Sequence, residues 1–112
     1  MSNSAVFRHP AGFFVYTTGV NGVCQTHGLY WLVDFIAAQQ KRTKKHVRFK
    51  DGQRWVHKVQ FRRATVYCYP LDSDDDPLVF PQTFYSEVNE PVITLYLEEG
   101  VLQTEEERNA QV

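Results

Sequence analysis

Cysteines and long apolar runs are scarce in this chain, and each scarcity excludes a class of protein. The two cysteines, Cys24 and Cys68, stand far apart, so they provide neither the disulfide framework of small secreted domains nor a four-ligand zinc site. No stretch approaches the roughly 18 apolar residues that a membrane span requires, and the first residues lack the apolar core of a secretory signal. We therefore expect a cytoplasmic protein with reduced, buried thiols and no membrane partner.

Catalytic and metal-binding signatures are also missing. Paired carboxylates and glycine-rich phosphate loops are absent, and the acidic run from Asp72 fails as a calcium loop because Pro77 and Thr83 occupy the positions of its glycine and glutamate. The enzymatic alternative is a thiol enzyme, in which Cys24 or Cys68 would be paired with His27, His46 or His57. Cys24 and His27, one helical turn apart, are the best placed of these, and the pair would need an oriented base within hydrogen-bond reach. We expect a non-enzymatic protein without a cofactor or metal.

The chain does have the composition of a folded globule. Among 112 residues, 43% are hydrophobic and 14% are aromatic, which is too rich for a disordered chain and enough for one core. We predict a single domain over residues 1–112, with an ordered core at about 7–102 and a polar C-terminal tail at 103–112 that forms at most one helical turn capped by Thr104.

Apolar periodicity predicts strands with one helix between them. The helix is expected from Val23 to Gln40, because this stretch has no proline and basic residues follow its end. Asp51-Gly52 is a strong hairpin signal. The predicted strands are residues 13–17, 44–50, 54–63, 65–69, a proline-interrupted edge strand within 78–85, and 91–97. The resulting fold is α+β, a single antiparallel sheet of five or six strands with one long helix packed on one face.

The predicted helix is apolar nearly all round. Besides the face that would meet the sheet, Trp31 and Phe35 lie on a second apolar face at i, i+4 spacing. Such a helix is either sandwiched between two layers or leaves its second face for a partner or a second copy of the chain. Both interpretations remain open from the sequence, and Trp31 and Phe35 are therefore candidate partner contacts, with a homodimer as one possible arrangement.

Charge is strongly segregated along the chain. Ten of the 12 lysines and arginines lie in residues 41–63, and 11 of the 13 acids lie in residues 72–107. Alternation within 54–63 directs Trp55, His57, Val59 and Phe61 to the core, so the opposite strand face is basic. That face, with a tyrosine of the next strand, could bind a protein partner or nucleic acid; its candidate residues are Arg54, Lys58, Arg62 and Tyr67.

Two further interpretations concern the acids. In the first, the basic strands simply pair with Glu87, Glu90, Glu98 and Glu99 across the sheet, each exposed pair contributing little. In the second, the acidic loop imitates the phosphates of nucleic acid and occupies a basic groove on a partner. The residues that would do so are Asp74, Asp75 and Asp76; a solvated loop is the simpler alternative.

Three segments carry a family resemblance, over about residues 13–102: Tyr16-Thr17-Thr18-Gly19-Val20, Gly28-Leu29-Tyr30-Trp31-Leu32-Val33-Asp34, and Leu95-Tyr96-Leu97 with Glu99-Gly100-Val101-Leu102. With these, the chain resembles a family of small proteins carried by phages, plasmids and bacterial genomes, to which no activity is assigned. The resemblance implies a mobile-element context, in which small proteins often bind host machinery. The expected function is a protein-binding module, for example an inhibitor of a bacterial defence complex such as a CRISPR effector, acting on a host or mobile-element protein or nucleoprotein; the alternative is a small nucleic-acid-binding protein.

Overall fold

A computed structural model describes residues 6–43, 45–85, 88 and 91–110. Over this part of the chain, seven strands form one mixed sheet in the order β1-β2-β7-β6-β3-β4-β5. The strands are β1 (Val6–Arg8), β2 (Val15–Thr17), β3 (Gln53–Gln60), β4 (Arg63–Pro70), β5 (Leu78–Tyr85), β6 (Val92–Glu98) and β7 (Val101–Thr104). The helices are α1 (Thr18–His27), α2 (Tyr30–Thr43) and α3 (Glu105–Asn109), with a 3-10 turn at Val47–Phe49.

The prediction of a single antiparallel sheet of five or six strands is wrong. β2 runs parallel to β7, with Val15 opposite Val101 and Tyr16 opposite Leu102. β1, which the sequence pattern did not reveal, pairs antiparallel with β2 at the edge of the sheet. A parallel pair between strands from opposite ends of the chain has no local turn signature, and β1 is three exposed residues long, so neither was visible in the sequence.

The prediction of a single long helix is also wrong, because the structure has two helices, α1 and α2, in this region. The first begins earlier than predicted: the Thr17 hydroxyl accepts a hydrogen bond from the Val20 amide at 3.2 Å and caps α1. It ends at Gly28, whose φ of 66° is left-handed, and both Gly28 and Leu29 donate their amides to the Cys24 carbonyl. Glycine is the residue that ends a helix in this way, so the chain turns and restarts as α2.

Other local predictions have mixed outcomes. The predicted strand over 44–50 is wrong where the structure describes it: the segment contains the 3-10 turn, and Lys44 lies outside the described residues. Asp51-Gly52 leads into β3 and is not a hairpin turn. The proline-interrupted edge strand is confirmed as β5. The cap at Thr104 is confirmed too, with a full capping box made by Glu107.

The core lies between one face of the sheet and the pair α1 and α2. β3 is the central contributor because its alternate residues Gln53, Trp55 and His57 are all buried on this side. Gln53 and Gln40 of α2 exchange two side-chain amide hydrogen bonds, each 2.9 Å long, and the Trp55 indole donates to the Gln53 carbonyl oxygen at 2.8 Å. These polar groups therefore satisfy one another inside the core, which fixes how α2 lies on β3.

The C-terminal helix α3 is hydrogen-bonded to the start of α1 through Glu107. The Glu107 carboxylate accepts hydrogen bonds from the Thr17 hydroxyl at 2.5 Å, the Gly19 amide at 3.3 Å and the Thr104 amide at 2.9 Å. A negative charge is favourable at a helix N-terminus. A side chain at Gly19 would overlap this carboxylate, so the glycine of the Tyr16–Val20 segment makes room for the contact. No helix in the described part of the chain has both the length and the apolar character to cross a membrane.

His57 is an unusual member of this core. Its side chain is fully buried, with the Trp31 ring edge-on at a centroid distance of 5.6 Å. Within the described part of the chain, neither ring nitrogen has a hydrogen-bond partner. Burial therefore lowers the pKa of His57 below the ordinary value of 6.5, and the nearby His27 lowers it further.

We predict that His57 makes the fold acid-sensitive. Between its lowered native pKa and 6.5 the folded chain binds fewer protons than the unfolded chain, so the free energy of unfolding should fall as pH drops through that window. Urea midpoints at about pH 7.5 and about pH 5.5 measure this loss. His57→Leu should reduce this loss of stability. His46→Gln, which alters an exposed histidine, should leave the loss unchanged. Equal pH dependence in wild type and His57→Leu would contradict the assignment.

Candidate functional site

The β3–β4 hairpin presents one uncovered face. Residues Lys58 and Thr65, Val56 and Tyr67, and Arg54 and Tyr69 are cross-strand pairs, and they point away from α1 and α2 because their neighbours in each strand are the buried ones. Across the sheet, β5 and β6 add three residues to this side. We call the set the open sheet face: Val56, Lys58, Thr65, Tyr67, Val79, Val92 and Thr94.

Apolar side chains are exposed on the open sheet face. Val79 is 51% exposed and Val92 is 48% exposed, while Val56 and Tyr67 between them are half-buried. Among the described helices, only α3 lies on this side, at the end formed by β6 and β7, where Arg108 stacks on Tyr96 and pairs with Glu98 at 2.5 Å. The structure thus brings Lys58 and Tyr67 together with an apolar strip.

Arg54, predicted as a free cation of this face, already has partners. Its guanidinium forms an ion pair with Asp74, donates to the Ser73 carbonyl at 3.3 Å, and lies over the Tyr69 ring at 4.4 Å. Tyr69 stacks in turn on Tyr67, with 6.2 Å between ring centroids. The charges of Arg54 and Asp74 therefore compensate each other.

A second arginine holds the acidic loop. Arg48 donates to the carbonyl oxygen of Asp75 at 3.1 Å and to that of Asp76. The carboxylates of Asp75 and Asp76 remain exposed. Opposite charges from the two blocks of the sequence thus meet at this loop. Of the glutamates that one interpretation paired with the basic strands across the sheet, Glu98 pairs with Arg108, and Glu87 and Glu90 lie outside the described residues.

Trp31 and Phe35 lie on the other side of the sheet. Both are half-buried and pack against the core. The Phe35 ring contacts Phe80 and Trp55 edge-on, at centroid distances of 5.2 and 6.4 Å. The structure therefore separates these two aromatic residues from the open sheet face.

The far end of the hairpin carries a residue that sequence reasoning missed. β3 ends at Gln60 and β4 begins at Arg63, which are paired, so Phe61 and Arg62 form a two-residue turn. Phe61 is 97% exposed. The prediction that Phe61 faces the core is wrong, and Arg62 lies in the turn and not on the strand face. We call Phe61, Arg62 and Arg63 the hairpin tip.

This turn has a backbone that its residues do not favour. Phe61 has a φ of 52° and Arg62 a φ of 64°, and two positive values in a two-residue hairpin define a type I′ turn, for which Asn-Gly is preferred. Left-handed backbone costs an ordinary residue about 1–2 kcal/mol. The hairpin was not predicted because residues 61–62 contain no turn-favouring residue. The one indication of a turn was that the predicted strands 54–63 and 65–69 are separated by a single residue, which is too short to connect them.

The thiols do not form a reactive site. Cys24 lies inside α1 and not at its N-terminus, and both cysteines are buried. Burial raises the pKa of Cys24 to about 11, with a further rise from Asp34, and raises the pKa of Cys68 to about 12. The described residues also contain no group of three His, Cys, Asp or Glu side chains placed to hold a metal ion.

In the part of the chain that the structure describes, His9 and Asp34 form a histidine–carboxylate pair, and its contacts are those of a pair that stabilises the fold. His9 Nε2 lies 2.8 Å from Asp34 Oδ1, and its Nδ1 accepts the Ala11 amide at 3.1 Å. Both ring nitrogens of His9 are therefore engaged, so the ring has no free nitrogen to act as a base. The pair ties the segment after β1 to α2.

Comparison with known proteins gives a family without an assigned activity. Residues 1–108 match a family of unknown function, DUF6876. No curated protein and no solved structure matches the chain.

We predict that both thiols are inert in the folded protein. A pKa of about 11 leaves roughly one Cys24 thiol in ten thousand ionised at neutral pH, and the thiolate is the reactive form. Titration with a chromogenic disulfide should label neither cysteine quickly in buffer and both quickly in denaturant. Rapid labelling of Cys24 in the folded chain would revive the thiol-enzyme interpretation.

We predict that the backbone conformation of the hairpin tip lowers the free energy of unfolding. Phe61→Asn with Arg62→Gly supplies the residues that a type I′ turn favours, so the free energy of unfolding should rise by about 1–2 kcal/mol. The urea midpoint measures the change. Val47→Asn, at another highly exposed apolar residue, is the matched control and should shift stability by less than about 0.5 kcal/mol. An unchanged midpoint in the double variant would show that the turn carries no strain.

Proposed function

We propose that this chain, which belongs to the family of unknown function DUF6876, is a non-enzymatic protein-binding module that contacts its partner through the hairpin tip and the adjoining open sheet face. One observation carries the proposal: Phe61 is 97% exposed on a turn whose backbone disfavours it. A residue that lowers stability and gains no burial within its own chain is best accounted for by a contact with another molecule.

The chemistry of the tip indicates what that contact needs. An aromatic side chain that enters a pocket, surrounded by charged groups, is the usual centre of a protein interface. Around Phe61, the exposed cations Lys58 and Arg62 would favour an apolar pocket with an acidic rim. The apolar strip of Val56, Tyr67 and Val79 continues the contact along the sheet.

A protein partner fits these charges better than nucleic acid does. The chain has a net charge of −1 and a pI near 6.4, and Arg48 and Arg54 are already engaged by the acidic loop. Nucleic-acid domains normally display a surplus of free cations. The stacked Tyr67 and Tyr69 beside Lys58 are the one feature that favours the nucleic-acid alternative.

The family resemblance suggests where such a module would act. Small proteins of phages and plasmids commonly bind host machinery, so we extend the proposal to a host protein or nucleoprotein in the bacterial cytoplasm, with a defence complex such as a CRISPR effector as the first candidate. In that setting the module would inhibit by covering a surface. The exposed carboxylates of Asp75 and Asp76 would then add an acidic contact at the opposite end of the hairpin.

The test is affinity capture from a bacterial host, with and without an active defence system. Wild type and Val47→Asn should capture the same specific partner, whereas Phe61→Asn with Arg62→Gly should lose it while remaining folded and more stable. Because the variant improves the fold, loss of capture cannot be attributed to unfolding. Equal capture by all three chains would contradict the role of the hairpin tip.

A gel-shift titration separates the nucleic-acid alternative. Single-stranded and double-stranded oligonucleotides are tested at low and high salt, since phosphate-driven binding weakens steeply as salt rises. Salt-sensitive binding that Lys58→Glu abolishes would replace the protein-binding proposal with the nucleic-acid one. No shift at low salt would support the protein partner.

A further inference from the structure

The strand β6 has a main-chain edge that no described strand covers. β7 ends at Thr104, which is opposite Leu95, and the chain then turns into α3. β6 itself begins at Val92 and pairs with β3 from Val92 to Leu97. The segment Val92–Thr94 therefore has a strand on one side only, within the part of the chain that the structure describes.

The polar groups of this edge point outward. The Val59 amide donates to the Pro91 carbonyl at 2.9 Å, which fixes the phase of hydrogen bonding between β3 and β6. In an antiparallel pair the bonding direction alternates from residue to residue. The N–H and C=O groups of Ile93 thus face β3, and those of Val92 and Thr94 face the side where β7 has ended.

A groove of about 460 Å³ lies along this edge. One wall is α1, which contributes Val23 and His27; the other is the first turn of α3, which contributes Glu105 and Glu106. Among the described residues that line the groove, none is a lysine or arginine. The site therefore combines strand groups that no described strand pairs, a wall of Val23 and His27, and an acidic wall.

We propose that this groove binds an extended, basic segment of another protein, which adds to β6 as a short strand. Main-chain hydrogen bonds to Val92 and Thr94 would provide the pairing, as in other cases of strand addition. Successive side chains of the added strand alternate in direction, so apolar residues would meet Val23 and basic ones would meet Glu105 and Glu106. The Glu107 carboxylate contributes less, since Thr17, Gly19 and Thr104 already bind it.

The site is separate from the hairpin tip, and it shares with the open sheet face only Val92 and Thr94, at the β6 edge of that face. The tip lies at the β3–β4 turn, whereas the groove lies on the β7 side of β6 and is walled by α1 and α3. A module with both surfaces could hold two segments of one partner or two partners at once.

The experiment is an NMR titration of the full-length, nitrogen-labelled chain with synthetic peptides. A capped peptide of alternating valine and lysine should shift the amide signals of Val92 and Thr94. The same peptide with its inward-facing amides N-methylated should bind at least about tenfold more weakly, because it cannot donate to the strand. A valine–glutamate peptide should not bind.

Two variants test the acidic wall and the independence of the site. Glu106→Lys should weaken the valine–lysine peptide about tenfold, while Asp51→Lys, an equal charge change at an exposed residue outside the groove, should not. Phe61→Asn with Arg62→Gly should bind this peptide as wild type does. The proposal would be overturned if the shifts were confined to β1 or β5, the outer strands of the sheet. Equal binding of the N-methylated and unmodified peptides would also overturn it.

Discussion

The hydrogen-bonded amides of Gln40 and Gln53 fix the rest of the structure, because they hold α2 on β3 in one register. Both side chains are buried, and an unsatisfied buried amide costs about 1–3 kcal/mol. A slip of β3 by one residue would break this pair and the bond from the Trp55 indole, and would also exchange its two faces. The contact inside the core therefore determines that Val56 and Lys58 face outward.

The segregated basic residues lie in two different places in the structure. Arg48 and Arg54 are engaged by the loop at 73–76, so part of the basic block stabilises the connection between β4 and β5. Lys58 and Arg62 lie at the other end of the hairpin and are exposed. Compensation within the chain and a surface for a partner were alternatives at the level of sequence. In the structure, the compensated arginines and the proposed contact surface lie at opposite ends of one hairpin.

The hairpin tip and the β6 groove both conflict with local rules of folding. Natural turns normally match their backbone to their residues, and strand edges are normally paired, covered or charged. Phe61 and Arg62 do not match their turn, and the edge at Val92 and Thr94 is left open between two helices. Such conflicts tend to be retained where a protein needs a contact more than it needs stability.

The sequence by itself determined the α+β composition, the edge strand β5, the strand β6 and the Thr104 cap, because each depends on residues that are neighbours in the chain. It also placed Arg54, Lys58 and Tyr67 on one face, since strand alternation is local. Only the tertiary structure decided the parallel pairing of β2 with β7, the packing of Trp31 and Phe35 on the core, and the pairing of Arg54 with Asp74. Those features join residues that are distant in sequence. The exposure of Phe61 belongs with them, because the pairing of β3 with β4 imposed a turn that its residues do not signal.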